Sequence, residues 1–233
     1  MRFLNTLKND IRFQIKYGFY FLYAFFSVVY VAVLMITPSE YKNTVASLIV
    51  LTDPAMLGVF FIGGIWLLEK GEGLHRFWTI SPLRPIEYIF AKSISLAILS
   101  TAAADLIVLI AMGKGIHFVS LSFSVFIGAV VFNLIGLAVS SYARSVNHYI
   151  IIVTFPAVFL TIPPVLTVFG VAHPLLEICP GTALWHLIAG SMDMTKKTSG
   201  LTWINLILWF GLLLYLTNLR IGKALQSEGG EGA

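Results

Sequence analysis

From Tyr17 onward the chain alternates long apolar runs with short polar interruptions. A helix that crosses a bilayer needs about 20 predominantly apolar residues. The pattern predicts six of them: Tyr17 to Ile36, Thr44 to Leu68, Ile89 to Met112, Val119 to Ser141, Tyr149 to Val171, and Thr202 to Leu219. Ahead of the first run, Met1 to Lys16 has a different pattern. Phe3, Leu4, Leu7, Ile11 and Ile15 fall on one helical stripe, with Arg2, Lys8, Asp10, Arg12 and Lys16 largely around the rest. That is the pattern of an amphipathic helix lying in the membrane interface. The expected fold class is all-α integral membrane, with one bundle of six transmembrane helices spanning 1–233 and connections too short for a soluble domain.

Composition supports this class. Hydrophobic residues make up 58% of the chain and charged residues 11%, with a mean hydropathy of +0.89, whereas a soluble domain carries roughly 25% charge. The first run is too long for a secretory signal, and Thr37-Pro38-Ser39 has no small-x-small cleavage pattern. Cys179, the single cysteine, excludes an intrachain disulfide and reads as a small packing residue.

Charge gives the orientation. Six spans put both termini on one side, which then holds Arg2, Lys8, Arg12, Lys16, Lys70, Arg76, Arg84, Lys92, Arg144, Arg220 and Lys223. The other side holds Lys42, Lys114, Lys196 and Lys197. Positive charge is retained on the cytoplasmic face, so both termini and the loop from Glu69 to Tyr88 are expected in the cytoplasm. The net charge of +4 then reports topology and anionic lipid, with no nucleic-acid partner implied.

Polar groups inside the spans are candidates for function. Asp53 precedes Pro54, a pairing that suits a helix cap followed by a first helical residue, so a break or kink is expected in the second span. Asp105 falls about midway along the third span, where a carboxylate is costly and faces a cavity or a polar partner. A hydrogen bond to Asn133 in the fourth span, a place on a translocation path for which Asp53, Asp105 and Asn133 are the candidates, and a span boundary that lies elsewhere are all open. Gly63-Gly64, Gly128, Gly136 and Ser140 suit close helix approach. Pro156, Pro163 and Pro164 free backbone carbonyls in the fifth span and predict a kink. The connection from Ala172 to Gly200 contains two short apolar pieces around Pro174 and Pro180 to Trp185. They suit short helices re-entering the outer leaflet, or an interfacial helix pinned by Trp185. The tail from Arg220 to Ala233 reads as disordered.

The polar element between spans two and three carries the strongest functional signal. A helix from Glu72 to Ile80 places Leu74, Phe77 and Trp78 at i, i+3 and i+4 on one face. Such a face on a cytoplasmic loop is covered either by the interface or by a groove on a soluble partner. Gly71 and Gly73 before it, and Ser81-Pro82-Leu83-Arg84-Pro85 after it, set chain reversals on both sides.

Glu69, Lys70, Glu72, Gly73, Trp78, Ile80, Ser81, Pro82 and Leu83 resemble the cytoplasmic loop of type-2 ABC transporter permeases, the membrane subunits of bacterial export systems. The basic amphipathic start, the six spans and the Pro180 to Ala183 element agree with that resemblance along the chain. Gly71, His75 and Arg76 depart from the family pattern. The resemblance implies a coupling helix seated in a separate ABC ATPase subunit, with Glu69, Glu72, Leu74, Phe77, Trp78, Ser81 and Pro82 as its docking residues. It also implies a second permease chain, identical or related, a place in the bacterial cytoplasmic membrane, and re-entrant helices after the fifth span. ATP and Mg2+ would sit on the partner, and no cofactor or metal is expected on this chain.

The sequence contains no G-x-x-x-x-G-K-[ST] phosphate loop. Nor does it contain the H-E-x-x-H of a metalloprotease, and His186 with Ser191 lacks the base and oxyanion donors of a serine nucleophile. An ion-coupled secondary transporter using Asp105 and Asp53 is the rival reading. The substrate is open among a hydrophobic or cationic drug, a lipid and a peptide.

Overall fold

The computed structural model describes residues 2–75, 84–113, 115–193 and 199–230, with side chains from Phe3 to Gln226 within those ranges. All the regular structure there is helical. In chain order the helices are α1 (Arg2–Lys16), α2 (Phe19–Ile36), α3 (Ser39–Val50), a π-helical turn (Leu51–Ala55), α4 (Met56–Gly71), α5 (Pro85–Met112), α6 (Phe118–Ser140), α7 (Val146–Val168), α8 (Pro174–Ile178), α9 (Pro180–Met192) and α10 (Gly200–Gly230). Six stretches are long and apolar enough to cross a membrane, with α3, the π turn and α4 forming one of them. The protein is therefore a multi-pass membrane protein.

α6 is the central helix, packed by α4, α5, α7, α9 and α10. Its approach to α4 and α7 depends on missing side chains. A Cβ on Gly63 would lie 1.9 Å from the Tyr149 ring, and one on Gly136 would lie 2.5 Å from the Val59 carbonyl oxygen. Tyr149 of α7 enters this notch and donates its hydroxyl to the carbonyl oxygen of Val59. Small residues that let membrane helices meet backbone to backbone gain dispersion contacts that lipid cannot supply. Gly128 packs closely on Leu184, whereas Gly64 has no neighbour near its Cβ position, so only part of the predicted glycine set serves packing. α2, α7 and α10 expose large apolar side chains such as Phe21, Phe155 and Leu208 on their outer faces, as lipid-facing helices do.

Four expectations are corrected. The second span neither breaks at Asp53 nor is capped by it, because the backbone widens into a π turn that contains Pro54. Proline lacks an N–H and crowds the carbonyl four residues earlier, and a π bulge accommodates both effects within a continuous helix. α5 begins at Pro85 rather than Ile89, and Asp105 stands seven residues, or about 10 Å, from its Met112 end. The chain after Arg220 continues as helix through Gly230. It is held by buried Ile221 and Leu225, one turn apart and so on one face, and by the Arg220 guanidinium, 4.8 Å from the Tyr142 ring centre.

The fourth correction concerns α1. Its inward face is polar: Thr6, Asp10 and Gln14, at i, i+4 and i+8, are buried. Its apolar stripe faces out, with Leu4 64% and Ile15 57% exposed. The helix thus presents apolar side chains outward and a polar seam to α5.

Candidate functional site

The polar seam of α1 leads to the base of the loop between α4 and α5. Lys92 of α5 places its Nζ 2.6 Å from Asp10 Oδ1 and 2.6 Å from Glu69 Oε1. All three side chains are buried. Tyr88 donates to Glu69 Oε2 at 2.7 Å, Ser95 donates to Asp10, and Gln14 Nε2 donates to Ser95 Oγ at 2.7 Å. Buried charges persist only when paired and hydrogen-bonded, and here one ammonium bridges carboxylates from two other helices, with hydroxyl donors from Tyr88 and Ser95 completing the cluster. Lys92 and Tyr88 leave the loop on its downstream side, Glu69 enters it on the upstream side, and Asp10 comes from α1. A cavity of about 220 Å3 beside the cluster is lined by Thr6, Asn9, Phe13 and Leu74 as well.

Beyond Glu69 the chain turns at Glu72 and Gly73, where Gly73 takes φ +72° and resumes as helix at Leu74. The left-handed φ favours glycine, so the helix expected from Glu72 begins two residues later. Glu72 is exposed and accepts a hydrogen bond from Tyr17; the bond withholds the phenolic proton and pushes the Tyr17 hydroxyl above its ordinary pKa. Leu74 is half-buried. His75 is buried with its ring 4.1 Å from Trp66, centre to centre, although the pattern placed it off the apolar face. Glu69, expected on the docking surface, lies instead within the ion cluster. Phe77, Trp78, Ser81 and Pro82, the remaining docking candidates, lie outside the described residues.

The three candidates for a translocation path are not gathered together. Asp105 accepts a hydrogen bond from Ser122 at 2.7 Å, not from Asn133. Asn133 donates to the Ser93 carbonyl at 3.0 Å, and its amide oxygen fills the space over Gly58, where a Cβ would come within 2.2 Å. Asp53 lies among α2 and α5 side chains in a separate position, with Oδ2 buried and without a hydrogen-bond partner.

At the opposite end of the bundle, α9 packs against α3, α6, α7 and α10. This meets the requirement that short helices at membrane depth be covered by protein. The prolines of α7 explain how it seats. Pro163 removes the N–H that would bond to Phe159 four residues back, and the Cys179 thiol donates to that free carbonyl at 3.2 Å. Pro164 likewise frees Leu160, whose carbonyl oxygen would be only 1.8 Å from a Cβ on Gly181. Trp185 donates to Ser47 Oγ at 3.2 Å. A groove of about 590 Å3 between α8, α9 and α10 is lined by Glu177, Asn205 and Trp209 among apolar side chains.

Asp10, Gln14, Tyr88, Lys92 and Cys179 were not singled out as partners by the sequence. The spacing of Thr6, Asp10 and Gln14 carried a signal, because three polar residues one turn apart on an otherwise apolar-faced helix need a covered polar seam. Cys179 and Phe159 are brought together by the tertiary fold alone.

Comparison with known proteins agrees with the resemblance carried by the loop. Two curated relatives, each named as a fluoroquinolones export permease protein, come from Mycobacterium tuberculosis strains CDC 1551 / Oshkosh and ATCC 25618 / H37Rv. Each is 26% identical over 196 residues, covering 84% of this chain and 83% of the relative. The model of the fluoroquinolones export permease protein family matches residues 1–220. With nearly the whole bundle matched, from the polar-seamed α1 to the end of the sixth span, this chain belongs to the fluoroquinolones export permease protein family and is a membrane export permease.

Proposed function

We propose that this chain is the membrane-spanning permease subunit of an ATP-binding-cassette exporter. It moves an amphipathic drug of the fluoroquinolone type outward, driven by a separate ATPase docked on the loop between α4 and α5. The observation that carries this reading is the clamp at the base of that loop. Lys92 joins Glu69 and Asp10 in one buried cluster, so both ends of the loop and the helix α1 share a rigid foundation. A loop that must transmit force from a partner needs such a foundation, because displacement of a floppy loop would be absorbed locally. The sequence contains no phosphate-loop motif, which supports placing ATP and Mg2+ on the partner.

In this reading Glu72, Leu74, Phe77, Trp78, Ser81 and Pro82 form the docking element, with Phe77 and Trp78 as aromatic anchors, and Glu69 supports it from beneath. Both termini are cytoplasmic, the excess of Lys and Arg on that side being the argument. Residues 1–233 act as one permease domain, paired with a second identical or related permease chain in the bacterial cytoplasmic membrane. α8 and α9 form the external re-entrant segment.

The test is purification from native membranes in mild detergent, with identification of co-purifying proteins and an ATPase assay. A stoichiometric ATPase subunit that is lost with Phe77→Ala and Trp78→Ala is the expected result. A chain that purifies alone, without associated hydrolysis in several detergents, would overturn the reading in favour of an ion-coupled transporter using Asp53 and Asp105.

A further inference from the structure

Asp53 is the one membrane-embedded carboxylate that the packing leaves unexplained. It sits in the π turn that interrupts the second span, 14 residues from Ser39 and 18 from Gly71, near the middle of the membrane at 1.5 Å per residue. Its Oδ2 is buried without a hydrogen-bond partner. Around it stand Tyr23, Phe26, Ser27 and Tyr30 of α2, with Ala103 and Ile107 of α5. Two of the hydroxyl-bearing residues that line this space are committed elsewhere. Tyr23 pairs with Ser100 at 3.0 Å, and Ser27 donates to the Tyr23 carbonyl at 2.7 Å.

No cation among the described residues pairs with Asp53. Lys92 is occupied at the far end of α5 by Asp10 and Glu69. An intramembrane carboxylate is costly and marks a ligand or ion path when no structural partner accounts for it. The walls here are aromatic rather than polar: the Phe26 and Tyr30 rings stack at 6.2 Å between centres, and Tyr23 meets Phe61 edge to face at 5.5 Å. A carboxylate among aromatic faces is the chemistry that recognises an organic ammonium, because the anion supplies the counter-charge and the rings supply their negative faces. A π bulge at this position fits such a role, since these bulges recur at functional sites.

We propose that Asp53, with Tyr23, Phe26 and Tyr30, binds the protonated amine of the exported drug. The inference rests on the export reading above and names the feature of the substrate that is recognised. The free space among these side chains is only about 10 Å3, room for about one water molecule. That space is too small for an amine, so binding requires its walls to move. Phe26 and Tyr30, half-buried where they line this space, are the side chains whose rotation admits the amine.

The experiment measures binding to the purified chain in detergent of a piperazinyl fluoroquinolone and of its N-acetyl derivative, which keeps the ring system but loses the basic nitrogen. Wild type should bind the amine about tenfold more tightly than the N-acetyl form, and Asp53→Asn should abolish that preference while leaving N-acetyl binding within about twofold. Phe26→Leu and Tyr30→Leu should each reduce the preference in part. Equal binding of the two compounds by wild type overturns the proposal whether or not any variant folds, as does an Asp53→Asn variant that keeps the preference. Because the assay contains no ATPase, its outcome is independent of the partner. Failure here with a co-purifying ATPase removes the amine site alone, and a charge preference in a chain that purifies without one removes only the ATP-driven reading.

Discussion

Lys92 and Glu69, on the two helices that carry the loop and 23 residues apart in sequence, meet at 2.6 Å in a buried site. Asp10 completes the cluster from α1 at the same distance. Removing the ammonium would leave two carboxylates buried without a counter-charge. Lys92→Met is therefore expected to cost about 3–5 kcal/mol. The triple variant Lys92→Met, Asp10→Asn, Glu69→Gln should recover much of that, because no charge remains unpaired. Thermal unfolding in detergent, followed by loss of monodisperse protein, reads both.

The seat of α9 is set by backbone contact. Gly181→Ala would drive a methyl group to 1.8 Å from the Leu160 carbonyl oxygen, a contact that only displacement of α9 relieves. Gly64→Ala meets nothing within 4 Å and replaces a helix-interior glycine, so it should be neutral or stabilising by up to about 1 kcal/mol. The expected outcome is loss of folded protein for the first and an unchanged or raised melting temperature for the second.

The thiol of Cys179 is a donor, and donation requires that it stay protonated. Burial pushes its pKa up, opposed more weakly by hydrogen bonds from the backbone of Gly181 and Thr182. The folded state holds this proton more tightly than the unfolded chain does. The resulting stability is complete below the ordinary thiol pKa and is lost as pH rises through the elevated folded value. Maleimide labelling at neutral pH should be slow, and the melting temperature should fall on the alkaline side of the ordinary thiol range. Cys179→Ser should keep the bond to Phe159, while Cys179→Ala should cost about 1 kcal/mol.

Tyr149 locks α7 to α4 and α6 by donating to the carbonyl oxygen of Val59, with the carbonyl oxygen of Gly136 also within 3.3 Å. Tyr149→Phe keeps the ring over Gly63 and removes the hydroxyl. It should cost about 1–2 kcal/mol without changing assembly. Tyr149→Ala removes the ring as well and should cost about 3–5 kcal/mol, as cavity formation in a packed core does. The ratio of the two melting shifts separates the hydrogen bond from the packing.

The sequence alone determined the class, the six spans within a few residues at most ends, the amphipathic start and the position of the polar loop. These follow from local quantities: the length of an apolar run against the thickness of a bilayer, and the spacing of apolar and polar residues around a helix. It also carried the resemblance with which the family match agrees. Only the tertiary structure decided which polar groups meet. Asp10 and Lys92 are 82 residues apart, and nothing in either local pattern distinguishes a buried pair from two solvated charges. The polar seam of α1 was visible as a spacing, but its inward direction depends on what α5 presents to it. Asp105 meets Ser122 rather than Asn133, because which polar groups come level on two neighbouring helices is set by how the helices are staggered in the bundle. The π turn at Asp53 shows the same division. Proline at that position announces a disturbed hydrogen-bond ladder, and whether the helix breaks or widens is settled by the helices packed around it.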